Sequence, residues 1–186
     1  MKYKILIVSC LLLALLVQAT RLHGQSPVTA VSYVDSLQNA LKVGQSDSMR
    51  IETLFLLSDY HSDKDTSLAM QYVRKAGSYA KKNSFQAALV HFYTAGVYFE
   101  SNVPKSEAGY LQAERLLRSF TGKAALIYRA RAWHNYGALQ QRKDDEREYA
   151  RILLNHVIPL SQQAGDSARM ARNYHNLGMI FSNQLD

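Results

Sequence analysis

Cysteine is almost missing from this chain: the single one is Cys10, inside an apolar run near the amino terminus. No intramolecular disulfide can form, no thiolate metal set can be assembled, and stability has to come from packing. Proline is nearly as scarce, with three residues, and glycine is limited to nine. Few backbone breakers therefore interrupt a chain rich in Ala, Leu, Gln, Arg and Lys, all good helix formers. No alternating Val/Ile/Thr run offers a strand. HExxH, GxSxG, a P-loop and GxGxxG are also missing, which removes the usual sequence grounds for zinc proteolysis, serine hydrolysis, phosphate cradling and dinucleotide binding. The expectation is an all-α chain of 186 residues, 47 % hydrophobic and 20 % charged, close to the balance of one globular domain.

Acidic residues are missing from residues 1–24, where Lys2 and Lys4 precede the run from Ile5 to Val17 and "QATRLHG" follows. A basic start, an apolar middle and a small, polar end predict a secretory signal peptide. Thirteen residues make about 20 Å of helix, short of the roughly 30 Å that a bilayer core requires. Cleavage after Ala19 or after Gly24 fits the residue types. "IVSC" looks a little like a lipobox, but seven apolar residues follow Cys10, whereas a lipobox ends its hydrophobic stretch.

The formal charge is +7, and three of the bases, Lys2, Lys4 and Arg21, lie in the leader. A mild basic excess on an exported chain argues against nucleic acid as a partner. Residues 115–151 are locally basic, which reads first as a solvated helical face.

Internal similarity organises the rest. Gly96, Gly137 and Gly178 are evenly spaced, with a period of about 41 residues, long enough for a pair of helices. Phe92, Trp133 and Tyr174 keep the same period one turn earlier, and so do Leu89, Ala130 and Ala171 before those. A weaker copy, Thr53, Leu56, Leu57 and Tyr60, lies slightly less than one period further back. The copies read "FYTAGVYF", "WHNYGALQ" and "YHNLGMIF", with Phe99, Leu177 and Phe181 completing the apolar positions. Residues three and four apart share one helical face. A glycine in that face lets a neighbouring helix come close, offsetting its cost of roughly 1 kcal/mol inside a helix.

This pattern resembles the first helix of the tetratricopeptide repeat, W-x2-L-G-x2-Y. Ala69, Val73 and Ala76 match its second helix; Ala108 with Gln112, and Tyr149 with Leu153, match it partially. The usual repeat has about 34 residues, and the surplus here is close to two helical turns, so each helix is expected to be one turn longer. The resemblance implies a right-handed solenoid of antiparallel helix pairs. The expected organisation is a signal peptide (1–24), a leader helix and linker (25–47), and repeats at 48–84, 85–122, 123–166 and, as half a repeat, 167–186.

The spacing predicts helices over about 28–43, 48–61, 67–82, 85–101, 106–120, 124–142, 145–164 and 168–183, with a turn at Pro104 and N-caps at Asp65 or Thr66, Asp144 and Asp166. Pro159 should kink or shorten its helix, because it cannot donate to the Asn155 carbonyl. The final "SNQLD" falls where a second helix should begin, so the chain is expected to be the amino-terminal piece of a longer protein.

His134 and His175 are the candidates for chemistry, since imidazole titrates near neutrality. Equivalent positions in adjacent repeats lie about 8–10 Å apart, too far to share one small metal ion. "DYHSDKD" supplies Asp59, His61, Asp63 and Asp65, but a loop counted from Asp63 has Leu68 and Arg74 where an EF-hand needs Gly and Glu. It reads as a helix-ending turn plus a cap. No cofactor and no metal are expected.

The resemblance to tetratricopeptide repeats implies a different kind of site. First helices of that family line a groove for peptides, and the matching positions are Tyr93, Arg131, His134, Asn135, Gln141, Arg172, His175 and Asn176, with Thr94 and Glu100 beside them. Leader, short helix and elongated repeats beginning "IETLFLLSDY" resemble the periplasmic sensor regions of bacterial membrane-bound histidine kinases and helix-turn-helix regulators. The implied function is a non-enzymatic protein–protein interaction module, exported and either periplasmic or membrane-anchored. Its partners would be a protein or peptide ligand and downstream domains of its own chain, and the membrane would be met only through the leader or a downstream helix. A free-standing periplasmic scaffold and a glycan-binding outer-membrane protein are the alternatives.

Overall fold

A computed structural model describes residues 30–44 and 46–183; the leader at 1–24 and the last three residues lie outside that range. No strand occurs among the described residues. The chain divides into two compact units, 1–39 and 40–186. Helix α1 (Ala30–Lys42) carries the division, and every feature discussed below belongs to the second unit.

That unit is a succession of helices joined by short turns: α2 (Asp47–His61), α3 (Thr66–Tyr79), α4 (Phe85–Val97), α5 (Val103–Leu117) and α6 (Lys123–Gln141). Next come α7 (Glu146–Ile152), a π-helical turn (Leu153–Val157), α8 (Ile158–Gln163) and α9 (Ser167–Asn183). Each helix packs on its neighbour in sequence, and α2 also touches α4. Most of the helices start where polar side chains satisfy orphan N–H groups. Asp65 accepts from the Leu68 N–H at 2.9 Å, Ser84 from Ala87 at 3.1 Å, Asn102 from Lys105 at 3.1 Å and Asp166 from Arg169 at 3.0 Å.

Two expectations need correction and a third is refined. The cap before α7 is Asp145, which accepts from Glu148 N–H at 3.0 Å, whereas Asp144 turns the chain at φ 62°, a left-handed conformation that Asp tolerates better than most residues. Pro104 does not mark a turn: Asn102 caps α5 and the proline sits in its first turn, where a missing N–H costs nothing. That shifts the register of α5, so Tyr110, Ala113 and Leu117 are buried and Ala108 is exposed. At Pro159, expected to kink or shorten its helix, the helical run continues to Gln163 but the regular α-helix is interrupted. The backbone widens into the π-helical turn just before it, with the Ile158 N–H bonding to the Leu153 carbonyl, so one extra residue absorbs the lost bond.

Two cores result. One gathers Leu54, Phe55, Val73, Phe92, Tyr93, Tyr110 and Leu117 from α2–α5; the other gathers Ala130, Tyr149, Ile152, Leu153, Val157, Leu177 and Ile180 from α6–α9. Helices α4 and α5 cross at Ala95. A Cβ on Gly109 would stand 2.8 Å from that of Ala95, and the Ser106 hydroxyl donates to the Ala95 carbonyl at 2.8 Å.

The glycine column is not uniform. A Cβ on Gly137 would lie 2.6 Å from the Tyr149 ring, one on Gly96 would make an ordinary 3.6 Å contact with the Tyr110 hydroxyl, and one on Gly178 would meet nothing within 4 Å. Phe92 is buried, Trp133 and Phe99 are half-buried, and Leu177 is 5 % exposed. Tyr174 and Phe181, expected as packing residues, are 55 % and 49 % exposed because no described helix covers that side of α9.

Candidate functional site

The repeated asparagine has a definite task. Tyr110 of α5 sits beside Gly96, and its hydroxyl faces Asn135 of the following helix α6. Tyr149 of α7 sits on Gly137, and its hydroxyl accepts from Asn176 Nδ2 of α9 at 3.1 Å. Each tyrosine thus packs its ring against one helix and turns its hydroxyl to an asparagine of a later one, and for Tyr149 this bond satisfies the polar tip of a buried ring. Burial pushes the Tyr110 phenol up to about 12, so it stays a neutral hydrogen-bonding group.

His134 faces the protein. Its Nδ1 donates to Asn173 Oδ1 at 3.1 Å and its ring meets that of Tyr149 edge-on, while the buried Asn173 Nδ2 has no partner. Burial depresses the His134 pKa, with Arg169 and Arg172 adding to the effect against the bond to Asn173. Trp133 lies flat against His156 of the π-helical turn, with ring centroids 3.9 Å apart and planes at 7°. Burial again leads in lowering His156, followed by Arg151.

Both histidines bind their proton more weakly folded than unfolded. Their contribution to stability is complete above the ordinary histidine value and is lost as pH falls from about 6.5 through their depressed values. The melting temperature is expected to drop between about pH 7.5 and pH 5. His134→Gln should flatten part of that slope; an unchanged slope in this variant would refute the role given to His134.

His175, Arg172 and Gln141 are exposed, and among the described residues no three His, Cys, Asp or Glu side chains form a metal set. Tyr93 is 6 % exposed; it stacks on Phe55 with centroids 4.3 Å apart and shares a 3.0 Å hydrogen bond between its hydroxyl and that of Tyr128. Arg131 is half-buried, its guanidinium carbon 4.9 Å from the ring centres of both Phe92 and Tyr128.

The eight residues expected to line a groove therefore separate. Tyr93 and Asn135 border clefts, Arg131 is held over two rings, His134 and Asn176 serve helix contacts, and the other three are surface residues. Two clefts lie here, one lined in part by Tyr93 and the other by Asn135, and the surface they form is bounded by three helices. The α2 side is bordered by Ser48, Glu52, Phe55 and Asp59, with Asp63 in the turn after the helix, the α4 side by Phe85, Leu89, Tyr93 and Gly96, with Glu100 in the turn after it, and the α6 side by Ala124, Tyr128 and Asn135. Steps of three, four or seven put the helical members of each set on a single stripe. The amino-terminal end is an apolar cleft of about 200 Å³ between Ile51, Phe55, Leu89 and Tyr128. The carboxy-terminal end is an acidic cleft of about 290 Å³ with Asp59, Asp63 and Glu100 on its walls and Phe99, Tyr110 and Asn135 behind them.

Sequence reasoning missed the acidic end. Asp59 and Asp63 are one turn apart, four positions in sequence, but they sit in a stretch that also supplies the Asp65 cap. No protein-family model matches this chain, and no curated protein matches it either.

Proposed function

We propose that residues 48–186 form a tetratricopeptide-like solenoid, a right-handed stack of helix pairs, acting as a non-enzymatic protein–protein interaction module. The observation that carries this reading is the pair of clefts to which α2, α4 and α6 each contribute, one mainly apolar and the other acidic, which we read together as one groove. Such a surface suits an extended peptide, combining an anchor pocket with orienting polar groups. The leader-like segment at 1–24 supports export, and the order of segments supports a sensor region of a membrane-bound signalling protein. Among the described residues no helix is long and apolar enough to cross a membrane. A free-standing periplasmic scaffold would use the same groove.

The test is a displayed random-peptide library panned on residues 25–186. Enriched peptides are expected to lose binding to an Ala124→Trp variant, which fills the apolar cleft from an exposed position. Peptides that bind wild type and variant equally would remove the groove from consideration. Fusion of alkaline phosphatase, active only after export, behind residue 47 tests the leader; an inactive fusion would place the module inside the cell.

A further inference from the structure

We infer that the occupant of this groove is an extended peptide carrying one bulky apolar side chain and, about four residues away, a lysine or arginine. The inference rests on the preceding reading of the groove as a peptide site and adds the chemistry of the ligand. The chain is basic overall, at +7, yet the lining of the two clefts includes Glu52, Asp59, Asp63 and Glu100 and no lysine or arginine. Among the described residues, ion pairs reach only Glu100 of these four. Glu52 and Asp59, on one stripe of α2, and Asp63, in the turn after it, are exposed carboxylates, a concentrated negative field inside a positive protein.

The chain itself shows how the acidic end takes a guanidinium. Arg142 enters from the end of α6, its Nη2 2.9 Å from Glu100 Oε2, its Nη1 donating to the Phe99 carbonyl at 2.6 Å, and its guanidinium carbon 5.3 Å from the Phe99 ring centre. A carboxylate, a carbonyl and an aromatic face together satisfy the charge, the donors and the flat surface of the group. Asp59 and Asp63 offer a second pair of carboxylates across the same cleft with no internal cation on them. At the other end, Phe55, Leu89 and Tyr128 present apolar surface sized for one large side chain. Arg131, the one base on the intervening stripe, is held over the Phe92 and Tyr128 rings.

Spacing follows from helix geometry. Phe55 is six positions from the end of α2, about 9 Å at roughly 1.5 Å per residue, and Asp63 stands in the turn just beyond, which brings the separation to about 12 Å. An extended peptide covers that distance in about four residues at roughly 3.3 Å each.

The probe is a fluorescein-labelled Gly/Ser decapeptide with Phe and Arg four positions apart, followed by fluorescence anisotropy. It is expected to bind at least about tenfold more tightly than the same peptide with Glu for Arg, or with Phe and Arg adjacent, and to weaken with added salt. The Asp59→Asn/Asp63→Asn double variant should erase most of that preference while keeping its melting temperature, since neither side chain caps a helix. Equal binding of the Arg and Glu peptides, an unaffected double variant, or no binding of the Phe/Arg peptide at millimolar concentration would each overturn the inference. The displayed library separates the two levels. Groove-dependent peptides lacking Lys and Arg would refute this ligand chemistry and leave the peptide-site reading standing, whereas a library without groove-dependent peptides would remove both.

Discussion

Replacing Glu114 with alanine is expected to cost about 3 kcal/mol of folding stability, measured by urea unfolding at pH 7. The Glu114 side chain is 3 % exposed and accepts from Arg129 Nε at 3.1 Å and from Arg118 Nε at 3.1 and 2.9 Å. The two arginines differ in weight. Arg118 lies on the surface, 60 % exposed, so its pair is screened and Arg118→Ala should cost under about 1 kcal/mol. Arg129, 23 % exposed, crosses from α6 to α5, and removing Glu114 leaves it half-buried beside a cavity. Glu114→Gln keeps the volume and isolates the charge. Burial pushes the Glu114 carboxyl up, but the hydrogen bonds and charges of Arg118 and Arg129 outweigh it and hold the pKa below its ordinary value. The stabilisation is therefore present above about pH 4.5 and fades as pH falls through the depressed value. The advantage of wild type over Glu114→Gln should narrow in that acid range; a gap independent of pH would mean that shape, not charge, matters there.

Helix positions were legible because aromatic and glycine columns, repeating at one constant period, report a face directly. The ends were less so: Asn102, Asp145 and the π-helical turn before Pro159 depend on local backbone choices that several residues in each stretch could have made. The role of the doubled asparagine was hidden for a different reason. Asn135 and Asn176 are one full period apart, while the tyrosines they face, Tyr110 and Tyr149, stand slightly closer together, in helices with shifted register, so no constant spacing links asparagine to tyrosine. His134 resembled a surface ligand until α9 placed Asn173 against it. Of the residues expected to line a groove, Tyr93 and Asn135 border clefts and Arg131 does not, and the acidity of one cleft was not legible, because Asp59, Asp63 and Glu100 come together only when α2 and α4 lie side by side.

The glycine column supplies the second large effect, and the sign of one substitution should differ between copies. Alanine gains about 1 kcal/mol over glycine inside a helix when nothing obstructs it. At Gly178 nothing lies within 4 Å of the added methyl, so Gly178→Ala should raise stability by about 0.5–1 kcal/mol. At Gly137 the methyl would lie 2.6 Å from Tyr149 Cδ2 and 3.3 Å from Ile152 Cγ2, both on buried side chains. Overpacking of about 1–3 kcal/mol then exceeds the helical gain, and Gly137→Ala should destabilise. Tyr149→Ala removes the ring from this seat and the hydroxyl from Asn176, a loss of about 3–5 kcal/mol, while Tyr149→Phe isolates the hydrogen bond at about 1 kcal/mol. The decisive comparison joins the two positions. Once Tyr149 is alanine the obstruction is gone, so Gly137→Ala should become neutral or stabilising in that background, a coupling of about 1–3 kcal/mol in a double-mutant cycle. Additive costs would show that the glycine is needed for something other than the ring it receives.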